Sequence, residues 1–123
     1  MYKILIVEDN EAIRKSIAGE LSLENFSVTE SADGEDALKK IVTEKPDLII
    51  LDIILPKLSG LDVLKKVRND PKTKSIKVII FTNLDADEKM LAQISELKPN
   101  FYINKGNLHL QDLPEKIREC IES

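Results

Sequence analysis

Residues 4–9 read Ile4-Leu5-Ile6-Val7-Glu8-Asp9, and the same form, an apolar run closed by a carboxylate, returns as Leu48-Ile49-Ile50-Leu51-Asp52. Runs this short, rich in β-branched residues and without polar alternation, predict strands covered on both faces. Two further runs share the form: Val78-Ile79-Ile80-Phe81 followed by Thr82, and Phe101-Tyr102-Ile103 followed by Asn104 and Lys105. Phe26-Ser27-Val28-Thr29-Glu30 alternates apolar and polar residues, the pattern of an edge strand with one wet face.

Helical spacing fills the intervals. Ile13, Ile17 and Leu21 share a face, as do Leu61, Leu64 and Val67, and Leu113, Ile117 and Cys120/Ile121. Ala37, Leu38 and Ile41 mark a shorter helix, and Met90/Leu91, Ile94 and Leu97 another. Asn10, Ser59, Asp85 and Asp112 stand where N-caps belong, and Asp85-x-x-Glu88 has the form of a capping box. The prolines fall between elements or in a helix's first turn, where a missing N–H costs least. The order is strand-helix repeated five times. It predicts an α/β fold with a parallel sheet, helices on both faces and right-handed crossovers. In such sheets the ligand site lies beyond the carboxyl ends of the strands.

The chain has 123 residues, room for one domain, with an apolar fraction of 42% that supports a core. Its net charge of −4 argues against nucleic acid or an anionic membrane as the main partner. Residues 1–60 carry 7 Lys/Arg and 12 Asp/Glu, while 61–123 carry 11 and 10, so a cation site is expected in the first half. One cysteine, Cys120, excludes an internal disulfide framework and a cysteine-based zinc site. No apolar run approaches the ~18 residues of a membrane span, and the opening segment is too soon acidic for a signal peptide. A soluble, cytoplasmic protein is the expectation.

At the predicted strand ends stand Glu8, Asp9, Asp52, Thr82 and Lys105. Neighbouring parallel strands lie ~4.8 Å apart, so carboxylates ending the first and third could converge on one cation. An all-oxygen donor set selects a hard ion, for which Mg²⁺ is the cytoplasmic default. Crowded carboxylates would raise at least one pKa. A divalent ion together with the Lys105 ammonium would relieve that repulsion and leave a pocket suited to a phosphoryl group.

Glu8-Asp9, Asp52 with Leu55-Pro56 and Ser59-Gly60 behind it, Thr82, Tyr102 and Lys105 together resemble the receiver domain of two-component response regulators, the CheY-like family. The resemblance spans residues 1–123. It implies a doubly wound five-stranded sheet, (βα)5 and flavodoxin-like, with strand order 2-1-3-4-5. It also implies a role for each residue. Asp52 would accept a phosphoryl group from the phosphohistidine of a sensor histidine kinase or phosphotransfer protein. Asp9, the Asp52 carboxylate and the Ile54 backbone carbonyl would hold Mg²⁺, with Glu8 acting through water. Lys105 would pair with a phosphate oxygen and the Thr82 hydroxyl would move to bond another. Tyr102 would swing inward behind Thr82, reshaping the surface of the fourth helix, fifth strand and fifth helix. Downstream, the resemblance implies a protein target or an output domain, and it leaves a phosphorylation-dependent homodimer open. A receiver filling the chain would act through a surface that another protein reads. It would not be an enzyme beyond its own phosphoryl acceptance and slow autodephosphorylation.

The sequence departs from the family at four positions. Gly106 stands where most members follow the lysine with proline in a cis bond. A cis bond before a non-proline residue costs ~3–4 kcal/mol, which leaves cis or trans open, and glycine offers the loop other conformations. Asn83 replaces a small residue after the threonine and is expected to narrow the entrance. Ile54 and Leu84 occupy two positions that tune dephosphorylation in the family, and neither can orient water. Slow self-hydrolysis, nearer hours than seconds, is the expectation.

Each residue also has an ordinary reading. Glu8-Asp9 could be an acidic helix entrance, Thr82 a strand cap, Lys105 a solvated lysine and Tyr102 a packed rim aromatic. Their coincidence at one end of several strands favours the receiver. His109 has no second ligand at helical spacing, and Cys120 on an apolar stripe reads as core. One rival is a Mg²⁺-dependent phosphatase with an aspartyl-phosphate intermediate, but such enzymes carry an acid where Ile54 stands. A mononucleotide or flavin module would need grouped glycines, and Gly19, Gly34, Gly60 and Gly106 are scattered.

Overall fold

The computed structural model describes residues 1–82, 88–107 and 109–123. The elements are β1 (Lys3–Val7), α1 (Glu11–Leu23), β2 (Ser27–Ser31), α2 (Gly34–Glu44), β3 (Leu48–Leu51), α3 (Gly60–Asn69), β4 (Lys77–Thr82), α4 (Glu88–Glu96), β5 (Phe101–Asn104) and α5 (Leu113–Glu122). All strand pairs are parallel, in the order β2-β1-β3-β4-β5. This is the doubly wound, CheY-like α/β fold.

Period-two alternation divides the strand residues between two cores. Ile4, Ile6, Leu48 and Ile50 face α1 and α5, where Ile17, Leu21, Leu113, Ile117 and Cys120 meet them. Leu5, Val7, Ile49 and Leu51 face α2, α3 and α4, packing with Ala37, Ile41, Val63, Leu64, Val67 and Ile94. Every residue of β3 is buried. Its continuous apolar sequence follows from having a helical layer on each side.

The β5 run was expected to be covered on both faces, and it is not. Phe101 and Tyr102 are each 38% exposed, because β5 is an edge strand paired only with β4 among the described residues. Its apolar run packs through Ile103, while Phe101 and Tyr102, on opposite faces of the strand, both stay partly exposed. The edge position expected for the alternating segment is correct: β2 lies at the other margin.

Two of the expected helix caps are made. Asn10 Oδ1 accepts from the Ile13 amide at 3.0 Å, and Ser59 Oγ from Asp62 at 3.2 Å. Asp112 makes no side-chain cap, since a short 3-10 turn at Leu110–Asp112 runs directly into α5. Asp33, which the sequence reading passed over, caps α2 by accepting from the Asp36 amide at 2.8 Å. Asp85 and its capping box, Asn83 and Leu84 lie outside the described residues. Among the described residues, no helix is long and apolar enough to cross a membrane.

Candidate functional site

The carboxyl ends of β1, β3, β4 and β5 bring the strand-end residues to one edge of the sheet. Asp52 follows β3, and its amide donates to the Val7 carbonyl at 3.1 Å. The β1–β3 ladder thus runs one residue past the strand and sets the direction in which Asp52 leaves it. The β2 margin does the same for Glu8, whose amide donates to the Ser31 carbonyl at 3.0 Å. Glu8 and Asp52 are buried, at 1% and 5% exposure, while Asp9 is exposed.

Lys105 joins the buried acids. Its Nζ donates to Asp52 Oδ2 at 2.8 Å and also to Glu8 Oε1. The remaining carboxylate oxygens meet backbone: Ile54 N–H donates to Asp52 Oδ1 at 3.3 Å, and Asn10 N–H to Glu8 Oε2 at 3.2 Å. The Phe81 ring lies 5.6 Å from the ammonium and adds an apolar wall with a favourable π face.

The Lys105–Gly106 peptide is trans, and Gly106 does not use a positive φ. The aim of the lysine comes instead from a turn at Lys105–Asn107, in which the Gly106 amide donates to Asn104 Oδ1 at 2.8 Å. The choice of isomer that the sequence leaves open is thus trans, and an asparagine-anchored turn holds the backbone just after the lysine.

Burial raises the Glu8 pKa, and the Asp52 charge adds to that, against the hydrogen bonds from Lys105 and Asn10. The expected carboxylate repulsion is present, but removal from water is the larger cause. Burial alone would pull Lys105 down, yet its hydrogen bonds to Asp52 and Glu8 outweigh that and hold its pKa up. Carboxylate atoms of Glu8, Asp9 and Asp52 all lie within 4.8 Å of one another. Three clustered acids that offer only oxygen donors, two of them paired with the Lys105 ammonium, fit a hard divalent cation.

Thr82 ends β4 fully buried, opposite Asn104 of β5, while Tyr102 sits opposite Ile80 and is partly exposed. The two switch candidates therefore occupy neighbouring strands two rungs apart. Ile54, whose amide meets Asp52 Oδ1, presents an apolar side chain that is 56% exposed.

Sequence reasoning missed Arg14. Its Nη1 donates to the Glu8 carbonyl at 2.9 Å and its Nε to Glu30 Oε1 at 3.0 Å. The available signal was a basic residue beside Ile13, at the border of the apolar face of α1.

The response regulator receiver domain family matches residues 4–118. The alkaline phosphatase synthesis transcriptional regulatory protein PhoP of Bacillus subtilis is 37% identical over 108 residues, covering 80% of this chain and 45% of the relative. Response regulator ArlR of Staphylococcus aureus is 39% identical over 90 residues, covering 73% of this chain and 40% of the relative. The chain spans less than half the length of these curated relatives. Among solved structures, a CheY-like response regulator receiver domain protein from Methanospirillum hungatei superimposes with a TM-score of 0.90 at 30% identity, covering 99% of this chain and 94% of that one. A LuxR-family DNA-binding response regulator from Staphylococcus aureus gives 0.88 at 28% identity, covering 98% and 99%. The chain belongs to the response regulator receiver domain family of two-component signalling.

Proposed function

We propose that this receiver domain, taken as residues 1–123, accepts a phosphoryl group on Asp52 from the phosphohistidine of a sensor histidine kinase or phosphotransfer protein. The reaction would be Mg²⁺-dependent and take place in the cytoplasm. The observation that carries the reading is the Lys105 ammonium held between the buried Asp52 and Glu8 carboxylates. A lysine so placed meets a phosphoryl oxygen as soon as one arrives on Asp52.

The Asp52 carboxylate is the nucleophile. One of its oxygens forms a bond to phosphorus as the N–P bond of phosphohistidine breaks. The departing imidazole nitrogen keeps the electron pair and takes a proton. Asp9, the Asp52 carboxylate and the Ile54 carbonyl would hold Mg²⁺, with Glu8 acting through water, and the ion supplies positive charge to the oxygens in transfer. Lys105 transfers a hydrogen bond from the carboxylate to the phosphoryl group.

The phosphoryl group adds charge and acceptor oxygens that only one arrangement of Thr82 and Lys105 satisfies, which is a population shift. Tyr102 moves inward with Thr82 and changes the surface made by α4, β5 and α5. A downstream protein target, an output domain or a second phosphorylated copy reads that surface.

Incubation with Mg²⁺ and acetyl phosphate, followed by intact mass, tests the reading. The expected result is a gain of one phosphoryl group that Asp52→Asn abolishes. No gain across several small phosphodonors overturns it.

A further inference from the structure

We propose that Arg14 is a positioning residue for the cation site, aligning the Glu8-Asp9 pair from outside it; this rests on the reading of that pair as Mg²⁺ ligands. The Glu8 carbonyl belongs to the peptide unit that joins the two acids, so whatever fixes that carbonyl fixes the direction in which both side chains leave the backbone. Arg14 Nη1 donates to this carbonyl at 2.9 Å. The same guanidinium is anchored through Nε to Glu30 Oε1 at 3.0 Å, and Glu30 sits on β2 beside the Ser31 carbonyl that takes the Glu8 amide. Both backbone polar groups of Glu8 are therefore tied to β2.

The clamp is built rather than incidental. The Arg14 side chain is only 13% exposed, and its planar fork meets both acceptors at once. Glu30 is held in turn by Lys15 Nζ at 3.1 Å. Burial would raise the Glu30 pKa, but Lys15 and Arg14 outweigh it and keep the carboxylate charged. Asn10 completes the loop, its amide on Glu8 Oε2 and its side chain capping α1. Arg14 itself offers no cation ligand, so it can act on the site only through the backbone it holds.

Charge and geometry predict opposite outcomes when Arg14 is removed. Deleting a positive charge near three carboxylates would tighten cation binding. Releasing the peptide between two ligands loosens it, by about tenfold for groups that orient metal ligands. The experiment is calorimetric titration of the folded protein with MgCl₂, with circular dichroism confirming folding at the same temperature. Arg14→Met is expected to weaken Mg²⁺ binding about tenfold. Arg14→Lys keeps the charge but not the fork and should fall between. Lys65→Met, at an exposed side chain of α3 outside the clamp, should bind as the native protein does.

Native or tighter Mg²⁺ affinity in folded Arg14→Met overturns the proposal. If that variant does not fold, native affinity in Arg14→Lys overturns it instead. Failure of the native protein to bind Mg²⁺ removes the site reading and this proposal with it, an outcome distinct from a native protein that binds while the variants are unchanged.

Discussion

The Gly60 amide donates to the Ile53 carbonyl at 2.8 Å, and a Cβ on Gly60 would stand 2.7 Å from Ile53 Cα. The same atom would collide with the Asp52 carbonyl oxygen. Gly60 does not use a positive φ, so the need for glycine here is one of space. The first turn of α3 is pressed onto the backbone that carries Asp52.

Gly60→Ala should therefore cost about 1–3 kcal/mol, the usual range for overpacking a tight contact. The displaced backbone is that of Asp52 and Ile53, so phosphoryl acceptance should slow as well. Urea unfolding gives the first effect, and the rate of mass gain with acetyl phosphate the second. Native stability in Gly60→Ala would mean the loop yields freely.

Asp36 gives a pH prediction away from the site. Its carboxylate accepts from Ser31 Oγ at 2.8 Å and pairs with Lys40 at 3.0 Å, and these hold its pKa below the usual aspartate range. A depressed carboxyl stabilises the fold above its unfolded pKa, and the contribution disappears as pH falls through about 4 and below. Asp36→Asn should lower the urea midpoint at pH 7 and make the acid side of the stability profile shallower. A variant whose profile stays parallel to the native one down to pH 2 would contradict the assignment.

The fold was legible because its evidence is local. Apolar runs such as Leu48–Leu51 and helical stripes such as Ile13, Ile17 and Leu21 repeat in strict alternation, and that order leaves few topologies. The positions of Asp52, Glu8, Asp9, Thr82 and Lys105 were legible for the same reason, since each ends a strand or lies within two residues of its end. What hid was interaction at a distance. Arg14 meets the Glu8 carbonyl and Glu30 only after α1 folds back beside β2, and no sequence period marks such a contact. The exposure of β5 was misread because an edge strand and a central one can share an apolar run. The turn aiming Lys105 depends on an asparagine preceding it, which sequence alone does not distinguish from a strand-end polar residue.

Ile54 bears on how long a phosphoryl group would last. Its side chain is 56% exposed beside Asp52 and has no atom able to orient an attacking water. The phosphorylated protein should decay over hours in Mg²⁺ buffer. Ile54→Asn, which supplies a donor and an acceptor, should speed decay about tenfold, less than the roughly hundredfold of a full general base. A mass time course after removal of the donor measures both. Decay of the native form within seconds would refute the role given to Ile54.

Lys105 tests whether a cation and an ammonium share the work of neutralising the same acids. In Lys105→Met, Glu8 and Asp52 remain buried without their counter-charge, a loss worth about 3 kcal/mol when one partner of a buried pair is removed. Without divalent ions the variant should melt well below the native protein. Added Mg²⁺ places positive charge among the same carboxylates, so it should raise the variant's melting temperature more than the native one's, by stabilising the folded state alone. The variant should also bind Mg²⁺ more tightly, the reverse of the result expected for Arg14→Met, because Lys105 competes for the carboxylates whereas Arg14 aligns the peptide between two of them. Equal Mg²⁺ responses in native protein and Lys105→Met would show that the ion does not reach the acids that Lys105 holds.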